Sequence, residues 1–128
     1  MPVRSSSSRV LRWPDENEVR LAAARFTQRE GARPGLIRLG YFGSYANGTW
    51  GVGSDLDLVA VVRESAEPFE RRALSWDLAP LPVPAEILVY TSAEWDRMAR
   101  AGERFARTLA AEAIWLIDRT RPATDDGP

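Results

Sequence analysis

Asp55 and Asp57 stand two residues apart at the head of an apolar run, Leu56-Asp57-Leu58-Val59-Ala60-Val61-Val62. In an extended strand, side chains at i and i+2 share a face, so both carboxylates point the same way, about 7 Å apart along the strand. Leu56 and Leu58 face the other way and anchor the strand in a core. Two like charges fixed beside apolar backbone repel each other and raise the pKa of one of them unless something positive intervenes. The chain has no His and no Lys, and all 17 of its basic residues are Arg. A hard divalent cation with oxygen ligands is the natural counter-charge. Mg²⁺, which takes one or two carboxylates together with phosphate oxygens, fits best, and Mn²⁺ accepts the same ligands. Glu86 heads a later apolar run, Ala85 to Tyr90, and supplies a third acid. Three acids on two adjacent strand ends can hold two metal ions about 3.5–4 Å apart, an arrangement suited to in-line displacement at phosphorus. Gly43-Ser44 closes an earlier apolar run. A glycine there permits close backbone approach, and the turn after it exposes amides that can bind phosphate.

The composition narrows the alternatives. Without Cys there is no disulfide scaffold, thiolate zinc site or cysteine nucleophile. Without Lys there is no Schiff base and no P-loop lysine. Carboxylates, hydroxyls, arginines, backbone amides and a bound metal remain. A chain of 128 residues suits one domain, and 17 basic against 18 acidic residues argue against bulk electrostatic binding of nucleic acid. No run of 18 apolar residues suggests a membrane span, and Met1 to Arg9 lacks the apolar stretch of a secretory signal. The expected location is the cytoplasm, with no membrane partner.

The elements that must position these residues can be placed along the chain. Residues 1–12 and 120–128 read as a disordered arm and tail around a domain at 13–119. Pro14-Asp15-Glu16 opens a helix with Val19, Ala22, Ala23 and Phe26 at helical spacing, stopped by Gly31 and Pro34. A strand is predicted at 36–42, a turn with one helical turn inside it at 43–55, and a central strand at 56–62. A helix is predicted at 67–76 with Phe69, Ala73, Leu74 and Trp76 available for burial. Pro80, Pro82 and Pro84 hold an extended connector. A third strand spans 85–90, and Thr91-Ser92-Ala93-Glu94 is a capping box for the next helix. Phe105, Leu109, Ala113 and Leu116 mark the apolar stripe of a last helix. The fold class is α/β (α+β): a small mixed sheet of three or more strands flanked by helices. Strands 56–62 and 85–90 should be parallel neighbours in a βαβ unit, which sets their leading ends side by side. If 36–42 runs antiparallel to 56–62, Gly43-Ser44 reaches the same rim.

Gly43-Ser44, ten residues, then Asp55-Leu56-Asp57 resembles the GSx10DxD signature of the minimal nucleotidyltransferases, within the polymerase-β-like superfamily. The fuller run Phe42 to Thr49 and Ser54 to Val59 is similar to it, as are Glu86 to Thr91 and Glu94-Trp95 to the family's third-acid strand and following helix. The resemblance spans roughly residues 36–118. It implies transfer of a nucleoside monophosphate, AMP in the first place, from an NTP to an acceptor hydroxyl with release of pyrophosphate. It assigns the β- and γ-phosphates to Gly43 and Ser44, two Mg²⁺ ions to Asp55 and Asp57, and completion of the catalytic metal and deprotonation of the acceptor to Glu86. Such minimal proteins are often paired with a HEPN-domain protein, in some cases as the antitoxin. The family usually has Asp where Glu86 stands, and basic residues where Asn47 and Gly51 stand. These departures keep a second possibility open: a catalytically weak or inactive binding module acting through a protein partner.

The remaining features have plainer explanations. Trp50 reads as closing its own loop, with stacking on a nucleotide base as the alternative. Trp76, Trp95 and Trp115 fit a core or an interface, the latter two as candidates for a homo-oligomer contact. Arg71-Arg72 and the spaced Arg97, Arg100, Arg104 and Arg107 read as solvated helix faces.

Overall fold

Asp15 starts the first helix because its carboxylate can accept a backbone N–H that the helix itself leaves unused. In the computed structural model, which describes residues 13–120, Glu18 N donates to Asp15 at 2.8 Å and Asp15 N donates to Glu18 at 2.9 Å. This reciprocal box opens α1 (Glu16–Glu30), which buries Val19, Ala23, Phe26 and Thr27. Gly31 N donates to the Thr27 carbonyl and ends it. The predicted arm at 1–12 and the tail from 121 onward lie outside the described residues. Thr120, at the margin of that tail, is bonded to Asp118.

Four strands form one mixed sheet: β1 (Leu36–Phe42), β2 (Leu56–Val62), β3 (Ala85–Thr91) and β4 (Ile114–Asp118). Their order is β3-β2-β1-β4, with β1 antiparallel to both of its neighbours and β2 parallel to β3. Alternation along β2 sorts its residues. Leu56, Leu58, Ala60 and Val62 join the main core with Phe26 of α1, Leu39 and Tyr41 of β1, and Ile87 and Val89 of β3. Val59 and Val61, equally buried, point to the other face. There α4 (Ser92–Arg100) packs on β2 and β3, and Phe105 of α5 (Arg104–Glu112) meets Phe42 edge-on at 5.7 Å. Between the motif halves, α2 (Ser44–Asn47) is the single helical turn expected within 43–55.

Two sequence expectations are corrected. The last helix stops at Glu112, and Ala113 is extended, so Ala113 and Leu116 do not continue its apolar stripe. Ile114-Trp115-Leu116-Ile117 instead forms β4 on the free edge of β1. Pairing with β1 on one side gives this β-branched and aromatic run a ladder of backbone hydrogen bonds and a pleated surface that suits its side chains. Gly40 makes room for it, since any side chain there would strike the Ile114 carbonyl and Trp115. The crossover at 67–76 is also shorter than predicted: α3 (Phe69–Arg72) gives way to a 3-10 turn over Ala73–Ser75. It buries Trp76 but leaves Leu74 at 73% exposed and Phe69 partly exposed.

Arg72 is a third correction. Rather than lying on a solvated face it is 8% exposed. Its guanidinium grips Glu94 through two bonds of 2.6 and 3.0 Å, and also donates to the carbonyls of Val89 and Glu67. Glu94 in turn accepts from Thr91 N in the capping box of α4. One carboxylate thereby ties α3, β3 and α4 together.

The Arg72 hydrogen bond holds the Glu94 carboxyl down at about 2. Its stabilising contribution is fully present above the ordinary glutamate pKa and is lost as pH falls from there toward 2. Arg72→Ala should cost about 2–3 kcal/mol at neutral pH, because Glu94 loses its partner while keeping some water. Urea melts from pH 7 to pH 3 should show a steep acid loss in the wild type and a shallower one in Glu94→Gln.

Candidate active site

The register of the sheet brings the predicted site residues to one rim. Phe42 pairs with Asp57 across the antiparallel β1–β2 ladder, and Asp57 pairs with Glu86 across the parallel β2–β3 ladder. Gly43, the next residue after Phe42, therefore lies against Asp57: any side chain built on it would run into the Asp57 carboxylate. Its backbone has φ +77° and ψ −151°, a region open essentially to glycine alone. The glycine is required twice, by conformation and by contact.

Ser44 follows as the first residue of α2. Gly43 O accepts from Ala46 N and Asn47 N, and Ser44 O accepts from Gly48 N and Thr49 N. No side chain caps the leading amides of this turn. Asn47, at a position where the sequence pattern raises the question of a missing cation, has a structural use: its side-chain oxygen accepts from Thr49 N at 3.1 Å and Thr49 Oγ1 at 2.6 Å. Gly51 N donates to Ser54 Oγ while Ser54 N donates to Gly51 O, which closes the return to Asp55. Trp50 stacks on Tyr45, ring centroids 5.7 Å apart and nearly parallel, so it does close its own loop. Tyr45 is 2% exposed beneath the turn. Its one signal in the sequence is an aromatic side chain among small residues.

Asp55 and Glu86 are exposed and Asp57 is half-buried. Partial burial pushes the Asp57 carboxyl above its usual range, and the charges of Glu86 and then Asp55 push it the same way. Arginine neutralises carboxylates elsewhere, as at Arg72–Glu94 and Arg38–Asp118. Among the described residues, no arginine forms an ion pair with Asp55, Asp57 or Glu86. The donor set is hard oxygen throughout and carries an uncompensated negative charge, which suits Mg²⁺ or Mn²⁺. Among the described residues no three acidic side chains are gathered closely enough to enclose a metal by themselves. An ion that keeps water and takes the rest of its ligands from substrate phosphates needs no such enclosure.

Two concavities lie away from the rim: a groove of about 380 Å³ lined by Arg33, Val62, Arg71 and Trp76, and one of about 330 Å³ lined by Phe69, Tyr90, Arg97 and Met98. Neither contains the acids. No helix among the described residues is long and apolar enough to cross a membrane.

Comparison with known proteins gives a consistent result. The sequence pattern of the family described as nucleotidyltransferase domain matches residues 23–114. No curated protein sequence matches significantly. Among solved structures, a Sulfolobus solfataricus protein assigned as a nucleotidyltransferase superposes with a TM-score of 0.58 at 17% identity, covering 83% of this chain and 86% of that one. A toxin–antitoxin solved with AMP-PNP gives 0.54 at 19%, covering 88% and 78%. A MntA–HpeT toxin–antitoxin mutant, in which two aspartates two positions apart are changed to glutamate, gives 0.53 at 18%, also covering 88% and 78%. At these identities the superpositions establish the shared fold.

Two outcomes follow from the rim's geometry. Asp57→Asn should raise the melting temperature of the metal-free protein at pH 7, because it removes a charge that burial and two neighbours disfavour. The gain should fade as pH falls through the raised Asp57 pKa, where the wild-type group is itself neutral. Gly43→Ala should lower stability by about 1–3 kcal/mol, measured by urea melts, through the strained φ and the displaced Asp57 carboxylate.

Proposed function

The chain belongs to the nucleotidyltransferase domain family, and on that footing we propose that it transfers AMP from ATP to an acceptor hydroxyl, releasing pyrophosphate. The observation that carries this is the set of three carboxylates without arginine partners beside a glycine-only turn, in a protein that pairs Glu94 and Asp118 with arginine. Asp55, Asp57 and Glu86 would hold the divalent cations, Mg²⁺ with Mn²⁺ as the substitute. When bound, such ions neutralise the phosphates and stabilise charge on the departing pyrophosphate.

The chain's own residues do the remaining work. The Gly43 and Ser44 amides receive the β- and γ-phosphates, and Gly43 lets that backbone come close because it carries no side chain. Asp57 sits between the turn and Glu86, so it sets the spacing of phosphates and acceptor. Glu86, exposed at the rim, takes the proton of the acceptor hydroxyl on its carboxylate, the role that no His is present to fill. The acceptor is a protein partner of the HEPN class. Similarity to toxin–antitoxin structures, one of them solved with AMP-PNP, supports both an adenine nucleotide and a protein partner.

A second reading is favoured by one observation, the longer and exposed side chain of Glu86 where the family usually has Asp. On it the domain binds nucleotide and partner with little turnover. Calorimetric titration of ATP with Mg²⁺ should show binding in the wild type that requires the metal and is lost in Asp57→Asn. With ATP labelled at the α-phosphate, the wild type should label an acceptor, and Asp57→Asn should lower the rate about a hundredfold or more. Undiminished transfer by that variant would exclude the assigned site. Intact metal-dependent binding with no labelling of a co-purifying partner would favour the binding module.

A further inference from the structure

The turn that would hold the phosphates has little to hold itself. Helix α2 has four residues, far below the length at which a helix is stable alone. The loop after it contains Gly48 and Gly53, both at positive φ, and Val52 stands 84% exposed. Between Ser44 and Asp55, only Tyr45, Ala46 and Trp50 reach the core. Tyr45 lies directly after Ser44, and Trp50 lies midway to the aspartates. Their rings stack at 5.7 Å with an interplanar angle of 11°. From the other side Trp13 Nε1, just before α1, donates to Tyr45 Oη at 3.3 Å. One clasp thus joins the outgoing and returning arms of the loop to the body of the domain.

We propose that Tyr45 and Trp50 are positioning residues that hold the Gly43–Ser44 turn at the distance from Asp55 and Asp57 required by a metal-bound triphosphate. The proposal rests on the nucleotide-transfer function above and adds the device that sets the spacing of that site. The physical reason is rigidity. Gly43 and Asp57 are in contact, so a small shift of α2 alters both the phosphate amides and the acid beside them. Backbone hydrogen bonds within the loop fix its shape but do not tie it to the sheet, whereas Tyr45, buried in the core with Trp50 packed on its ring, does. Loss of a stacked ring face would leave the turn free to move, and displacements of about 1 Å are enough to weaken such a site strongly.

The mechanism differs from stacking of Trp50 on a nucleotide base, and two probes separate them. Positioning acts through the phosphates, so Trp50→Ala should weaken binding of Mg²⁺-ATP and of Mg²⁺-tripolyphosphate alike, by about tenfold or more. Trp50→Phe, which keeps a stacking ring, should restore both to within about threefold of the wild type. Tyr45→Phe, which keeps the stack and loses only the Trp13 bond, should fall between them. Titration calorimetry reads the affinities, and thermal melts confirm the fold; if Trp50→Ala melts below the assay temperature, Trp50→Leu takes its place with the same expectation. Unchanged tripolyphosphate affinity alongside weakened ATP affinity overturns positioning in favour of base stacking. Unchanged affinity for both overturns it outright. If the wild type binds neither probe with metal, the nucleotide-transfer function fails and the proposal falls with it.

Discussion

Unbalanced negative charge at the head of a buried strand is the constraint around which this small domain is arranged. β2 is the most buried strand of the sheet, with six of its seven residues buried, and the seventh is Asp57. Alternation leaves no choice about this residue. With Leu56 and Leu58 committed to the core, Asp57 must lie on the opposite face, between the turn that follows β1 and the head of β3. Its carboxyl is held above the usual range by burial, by Glu86 and by Asp55. A fold under selection for stability alone would place an arginine here or dispense with the acid.

The arginines show that the omission is local. Arg72 is drawn into the structure to satisfy Glu94, two strand and loop carbonyls and the junction of three elements. Arg38 bonds both oxygens of Asp118 while lying over Trp115 at 4.4 Å. Arg33 covers Trp76 at 3.8 Å and bonds Glu30 and Ser75. A planar guanidinium can combine stacking with forked hydrogen bonding, which lysine cannot. In a lysine-free protein these residues serve as structural connectors, and the acid rim is set apart from them.

The sheet order translates this electrostatic arrangement into a site. An antiparallel neighbour on one side of β2 delivers the end of β1, and a parallel neighbour on the other delivers the beginning of β3. Both arrive at the same edge. A wholly antiparallel sheet would bring the far end of β3 to Asp57, and a wholly parallel one would bring the beginning of β1. The mixed sheet is what lets a glycine turn, an aspartate pair and a glutamate from three separate stretches of chain meet at one edge.

Much of this was legible in the residues. The Leu-Asp-Leu alternation determined which face Asp57 takes, because side-chain direction in a strand has a period of two. The glycine at 43, the Pro14-Asp15-Glu16 helix start, the capping box at Thr91 and the proline-rich connector were local signals with local outcomes. The absence of His, Lys and Cys confined the chemistry before any fold was considered. What lay beyond the sequence was the choice of partner. Ile114 to Ile117 became a strand because β1 had an unpaired edge and Gly40 allowed close approach. The apolar stripe beginning at Phe105 could not reveal where helical pairing would yield to the sheet. Arg72 was buried because Glu94 and two carbonyls converged on it from other elements. Trp13 met Tyr45 across 32 residues of chain, a distance at which no periodicity carries information. Local conformation and chemical repertoire followed from sequence because they depend on neighbours along the chain; the pairing of edges, the burial of charge and the clasp beneath the turn depended on neighbours in space.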